Sequence, residues 1–568
     1  MAPKRKATRA LESSKSKKSS PTTTKDVQKL GNEIQTESKY NNFVILINQL
    51  RDIKVKLITE EDSELESLGR QILVVVMQNF KTLFEDGKLT KTKNQDDHTR
   101  LVVNWVLEKY DNSKTILMDI LKTKLSFDSS LQLDVLDILF DLLKIGSEYN
   151  KSEKFPTKTY QSIIESLLNS SNGEILSDGS SNNFILLEFI DSFFNKYWDL
   201  QFYFFNNLSS ILENWKNDLS EFKLQKVFAN FLTIIRKESL FNSNEEELKS
   251  IPTWLPKSNL SSSIYKINLF KSQFQKTVIT ILSFPLTIPQ YKSILLILQK
   301  RIIPYMSQPQ GLMDFLTDLY NLEDTTTTLE ESISEDSDNL IIPILTLNSL
   351  YELIKNYNLE YPDFYTKLYS LLNSNLFYTK YRSRFIGLVD LFLSSTHLSS
   401  NLVASFIKKL ARLSLTASAS GVVIIIPFIY NLLKRHPTCM IMIHNTNEND
   451  TKEEILNDPF NNQEKNPMNT KAINSSLWEL EILMNHYHPN IATLAKIFKE
   501  PFKKPNYNLE DFLDWSYLKL LETEQSRKFK LQTTALEFEE FSNILNDKDN
   551  IFKNNEVNEN ILLEGWSL

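Results

Sequence analysis

The chain has 568 residues, a formal net charge of −7, 41% hydrophobic and 24% charged residues, 10 glycines and one cysteine, Cys439. That length exceeds a single hydrophobic core and asks for two domains or a repeat array; one cysteine excludes an internal disulfide framework and any multi-cysteine zinc site; and the glycine shortage argues against phosphate-cradling loops and barrels, leaving an all-helical chain. The acidic balance excludes a nucleic-acid surface spread over the whole molecule, and no uncharged apolar run approaches the ~20 residues of a membrane span.

Residues 1–40 begin MAPKRKATRALESSKSKKSSPTTTK, with no apolar period, and read as a disordered basic tail. Lys4, Arg5 and Lys6, then Lys15, Lys17 and Lys18, form the clusters of a nuclear localisation signal. A solvating tail with no specific role is the plain alternative. Residues 41–322 read as one helical-repeat block. In LQLDVLDILFDLLKIG (131–146) Leu133, Val135, Leu136, Leu139 and Leu142 recur at helical spacing, with Gly146 as a helix stop. The stretch 182–215 is long enough for two helices, and YKSILLILQKRIIPYM (291–306) is interrupted by Pro304. Helices of this length with short breaks are the pattern of a HEAT/armadillo-like α-solenoid.

Residues 323–338, EDTTTTLEESISEDSD, form an acidic linker. A second helical domain occupies 339–444. In SNLVASFIKKLARLSL (400–415) Leu402, Val403, Phe406, Leu410 and Leu413 make an apolar face, opposite Ser405, Lys408, Lys409 and Arg412. The run GVVIIIPFIYNLLKRHP (421–437) reads as a buried helix with Pro427 in its first turn or kinking it, since Pro427 forbids a central strand. A polar loop covers 445–474, a C-terminal helical block 475–545, and a tail 546–568.

The block opens with SSLWELEILMNHYHPNIATLAKIF. His486 and His488 on a helix would point about 200° apart, HExxH is absent, and no third ligand stands at a familiar spacing, so a metal site is excluded. The stretch reads instead as a structural corner. Ser475 or Ser476 caps a helix with Glu479 in a capping box, Leu480, Leu483, Met484 and Tyr487 form its buried row, and His486, His488 and Pro489 turn the chain into the next helix. Histidines at such a corner satisfy carbonyls left free at helix ends. Cys439 in PTCMIMI is an apolar, inert thiol. No nucleophile elbow, phosphate loop, dinucleotide fingerprint or kinase signature is present, so the chain reads as a non-enzyme without cofactor or small-molecule substrate.

Four phrases occur in a familiar order: residues 291–321, 339–372 with Tyr361, Pro362, Asp363, Phe364 and Tyr365, 382–437 and 475–489, extended by LEDFLDWSY at 509–517. In these the chain resembles the nucleolar-complex family, which shares a CCAAT-binding-factor domain. The resemblance makes 339–444 a domain of that type. It implies a HEAT-like, non-catalytic nucleolar assembly factor that pairs with nucleolar protein fourteen in the small-subunit processome and serves 18S rRNA maturation and 40S subunit biogenesis and export. Direct contact with pre-18S rRNA would fall on the basic residues Arg382, Arg384, Lys408, Lys409 and Arg412, for which a merely solvated helix face is the alternative. Trp478, Tyr487, Phe512 and Trp515 are the candidate partner interface, as large apolar residues in the C-terminal block. A helical-repeat nuclear transport adaptor is the alternative function, against which the chain's own basic import tail weighs.

Overall fold

The computed structural model describes residues 23–89, 97–149, 155–237, 245–321, 336–357, 361–379, 381–444 and 457–528. The proposed localisation residues Lys4 to Lys18, the linker as far as residue 335 and the chain from 529 on lie outside them. Among the described residues the fold is all-α, with one isolated bridge, Ile175 to Ser181, as its only β pairing. The fold divides into two compact units, with two helices cut by the boundary. The first runs to Lys409 and includes Arg435–Ser476; the second comprises Leu410–Lys434 and the chain from Leu477.

The first unit begins earlier than its periodicity suggests. Helix α1 (Thr24–Thr36) lies inside the expected tail and packs on α3 (Ser63–Glu85), with α2 (Asn41–Thr59) beside both. Its buried residues, Val27, Gly31 and Ile34, recur at i, i+4 and i+7. Helices α4 (Asp97–Lys122), α5 (Ser130–Tyr149) and α6 (Thr157–Leu168) follow. Gly146 does not stop α5 but sits inside it, a built Cβ there lying 3.6 Å from Pro156. The 182–215 stretch forms two helices, α7 (Phe184–Phe189) and α8 (Trp198–Asp218), joined through a π turn at Ile190–Phe194. Then come α9 (Glu221–Lys237), α10 (Glu245–Ser250), α11 (Ile267–Leu282), α12 (Ile288–Ile297) and α13 (Met313–Tyr320). Helix α12 starts on a Thr287–Gln290 capping box with Pro289 in its first turn. It runs into a second π turn at Leu298–Ile302 just before Pro304.

Most of these helices pack on near neighbours in the chain: α2 on α3, α4 on α5, α6 on α8, α8 on α11, and α12 and α13 on α14 (Asp336–Tyr357). Each of these helices therefore buries its apolar stripe mainly against elements close to it in the chain, as a repeat array requires. Rings fill the middle. Phe140 stacks on Phe193 at 4.0 Å between centroids and accepts the Trp254 indole N–H at its carbonyl, 3.0 Å away. The fully buried Asp199 carboxylate accepts the backbone N–H groups of Trp254 (2.9 Å) and Leu255 (3.0 Å), pinning that connection to α8. The acidic linker gives way to helix at Asp336, so its last residues belong to α14. Helices α15 (Phe364–Ser370) and α16 (Arg382–Phe392) follow, and α17 (Ser400–Ser414) leads out of this unit.

The second unit holds the C-terminal end of α17, most of α18 (Ala419–Arg435), α19 (Trp478–Leu483), α20 (Pro489–Ala495), α21 (Glu510–Leu513) and α22 (Tyr517–Ser526). Every residue of α18 from Ala419 to Leu433 is buried, so this helix is apolar nearly all round. Pro427 stands in its interior rather than its first turn.

Candidate interaction surface

The amphipathic pattern of α17 places Leu402, Val403, Phe406 and Leu410 in the core. Its polar side is covered too. The segment from residue 457 to Ser476, expected as polar loop as far as residue 474, lies across it, with Phe460, Thr470 and Ala472 buried. The Lys408 side chain has no solvent exposure; its ammonium donates to the Ser476 carbonyl (2.7 Å) and pairs with Asp458 (3.2 Å). Asp458 also accepts from the Ser475 hydroxyl at 2.6 Å, and the Ser405 and Thr470 hydroxyls meet at 2.5 Å. Lys409 donates to the Tyr369 carbonyl (2.9 Å) and lies 4.0 Å from the centre of that ring; burial lowers its pKa to about 8. Arg382 donates to the Phe377 carbonyl at 3.0 Å, and Arg384 lies against the Asn348 amide, whose oxygen accepts from its Nε.

In the second unit the Arg412 guanidinium donates to the wholly buried Glu479 carboxylate at 2.9 Å and stacks over Trp478 at 4.7 Å. The five cations expected to reach RNA are thus each committed to partners within the chain. Lys408 is sealed from solvent. A fully buried ammonium with satisfied donors cannot release counterions from a polyphosphate, so Lys408 is corrected to an internal fastening, while Arg382, Arg384, Lys409 and Arg412 are half-buried.

The HYHP stretch forms a corner between α19 and α20. His488 is the N-cap of α20, its Nδ1 accepting from the Asn490 N–H at 3.3 Å, and Pro489 is at the first turn. His486 Nδ1 accepts from the His488 N–H at 3.0 Å. The rings therefore satisfy amides, not the carbonyls that were expected. Burial, and then the neighbouring His488, hold the His486 pKa below its ordinary value. No capping box precedes α19: Ser475 bonds Asp458, Glu479 is taken by Arg412, and Leu477 is the N-cap. Cys439 is buried, which pushes its thiol pKa up. Among the described residues no cluster of three metal-ligating side chains occurs.

The four aromatic residues proposed for a partner differ in availability. Tyr487 is not in a buried row but 81% exposed. Trp478 lies half-buried under Arg412, Phe512 packs edge-on to Tyr507 at 5.8 Å, and Trp515 donates to the Asp511 carbonyl at 3.0 Å. Nearby in sequence stand exposed apolar residues the pattern did not single out: Ile482, and Tyr517, Leu518 and Leu521 along α22. Their i, i+3 and i+4 spacing was visible, but which face α22 buries was not.

One further feature escaped the pattern reading. The stretch KIFKEPFKKPNY (496–507) is held by α18. Tyr430 stacks on Phe502 at 4.7 Å and 8°, meets Tyr507 edge-on at 5.2 Å, and donates to the Lys504 carbonyl at 3.2 Å. Asn431 exchanges two hydrogen bonds with the Tyr507 backbone, each 2.8 Å, and the Lys434 ammonium donates to the Lys504 carbonyl. Lysine density alone was the signal for this stretch.

Two family models match the chain. One, described as nucleolar complex protein 4-like TPR repeats, covers residues 15–217; the other, the CBF/Mak21 family, covers 343–495. The chain is 42% identical to nucleolar complex protein 4 of Saccharomyces cerevisiae over 548 residues, 92% of this chain and 95% of that protein. It is 31% identical to nucleolar complex protein 4 homolog A of Xenopus laevis over 476 residues (82% and 83%), and 30% identical to the Mus musculus homolog over 397 residues (70% of each). With a match running through both units at this identity, the chain belongs to the nucleolar complex protein 4 family.

Proposed function

We propose that this chain is a non-catalytic nucleolar scaffold of ribosome assembly. It pairs with nucleolar protein fourteen within the small-subunit processome and serves 18S rRNA maturation and the making and export of 40S subunits. The observation that carries the reading is the near end-to-end similarity to proteins named for a nucleolar complex. The helical-repeat fold supports it, because stacked helices give a long surface on which another chain can lie. Ile482, Tyr487, Tyr517, Leu518 and Leu521 are the docking residues this reading favours, since they are apolar and left in water within the second unit.

Depletion of the protein should make pre-18S species accumulate and lower the 40S to 60S ratio. Affinity purification should recover nucleolar protein fourteen after nuclease treatment. A normal subunit ratio on depletion would sink the assembly role. Recovery of the partner undiminished by a combined Tyr487→Asp and Leu518→Asp change would move the interface elsewhere.

A further inference from the structure

The cations that sequence pattern assigns to RNA are buried or half-buried and bonded within the chain, but the second unit carries others that face water. Lys496, Lys499, Lys503 and Lys504 are all exposed. Glu500, 3.9 Å from the Lys504 ammonium, is the one carboxylate among them and is itself exposed, in a chain whose net charge is −7. Among the described residues the other three lysines make no ion pair, so their charge is directed at solvent.

The segment bearing them is fixed. Tyr430 and Asn431 of the buried helix α18 hold its backbone at Lys504 and Tyr507, and Pro501 and Pro505 restrict the chain between. A cationic strip ordered before binding loses little backbone entropy when a polyanion arrives. The rings within the segment are spent inward. Phe498 and Phe502 pack around Tyr430, and Tyr507 meets the same ring. The strip therefore offers charge without a stacking platform for bases. Its cations are all ammonium groups, compact point charges that bind phosphate oxygens without demanding a fixed geometry. We propose that Lys496, Lys499, Lys503 and Lys504 form a docking strip for the phosphate backbone of RNA, read without regard to base sequence. The ribosome-assembly reading supplies only the source of that RNA.

The test uses the purified full-length chain and a fluorescein-labelled oligouridylate, with affinity measured across a salt series. This assay contains no other protein, so it succeeds or fails independently of which complex the chain joins. Each single-strand phosphate neutralised contributes about 0.7 to the slope of log K against log salt. The combined K496Q, K499Q, K503Q and K504Q variant should flatten that slope by roughly 3. The corresponding four-arginine variant, which keeps the charge, should retain it. An unchanged slope in the glutamine variant overturns the proposal, as does an equal loss in the arginine variant. Polyglutamate binding as tightly as RNA at the same ionic strength overturns it in favour of an acidic protein. Should the glutamine variant melt early, ultraviolet crosslinking of the unaltered chain decides: the crosslinked peptide should fall in 496–507, and crosslinks confined elsewhere refute the assignment.

Discussion

Lys408 and Lys409 are neighbours with different fates. Lys408 is paired with Asp458, which is 24% exposed, so the pair is only partly screened by water. Removing one partner of a buried pair costs about 3–5 kcal/mol, and the exposure of Asp458 puts Lys408→Ala near the low end, about 3 kcal/mol. Urea unfolding measures this directly; a loss below about 1 kcal/mol would place the pair with ordinary surface bridges. Lys409 responds to pH. Burial brings its pKa to about 8 in the folded chain, against an ordinary 10.5. Below pH 8 the lysine is charged in both states and its desolvation cost is fully present. Between about 8 and 10.5 the unfolded chain binds the extra proton, so folding stability rises with pH. The stability difference between the unaltered protein and Lys409→Met should therefore move in favour of the unaltered protein across that window. A difference flat with pH would show that the ammonium is as well solvated as in the unfolded chain.

Among the elements, α1 and α17 show what pattern does and does not reveal. The apolar stripe of α17 was legible because Leu402, Val403, Phe406 and Leu410 repeat with the helical period. The covering of its polar side was not, since a polar face reads the same whether water or a polar segment satisfies it. Asp458, Thr470 and Ser475 complement Ser405 and Lys408 through contacts distant in sequence. Helix α1 was hidden for another reason: one of its three buried positions is a glycine. A Cβ on Gly31 would overlap Val75 Cγ1, so α1 approaches α3 there more closely than any side chain allows. Val75 is β-branched and stiff, which leaves it little room to yield. Gly31→Ala should destabilise the chain by about 1–3 kcal/mol through overpacking, despite alanine's better helix propensity. Adding Val75→Ala should restore it. Thermal melting of the two variants checks this, and a stabilised single variant would mean that the helices separate at no cost. The HYHP corner, by contrast, was legible in kind, because Pro489 fixes where one helix stops and the next starts; the direction of its ring hydrogen bonds depended on side-chain rotation that spacing does not encode.

Over the whole molecule, the helix class followed from glycine scarcity and periodic leucine. The site did not, because exposure is a property of the assembled fold: Lys408 and Lys496 look equally basic in sequence and differ completely in access to water. The segment from 457 to Ser476 has one more consequence. It is fastened to α17 and to its own backbone by side-chain bonds at Lys408, Ser405 and Thr470, and by the Asn461 amide on the Thr470 carbonyl. Two separately produced polypeptides, one ending at His444 and the other starting at Asn457, should therefore reassemble when co-expressed, and Lys408→Ala should weaken their co-purification. Failure of the unaltered halves to associate would show that covalent tethering supplies what the ammonium does not. If the halves do associate, the chain is a protein that can be cut in two and still recognise itself.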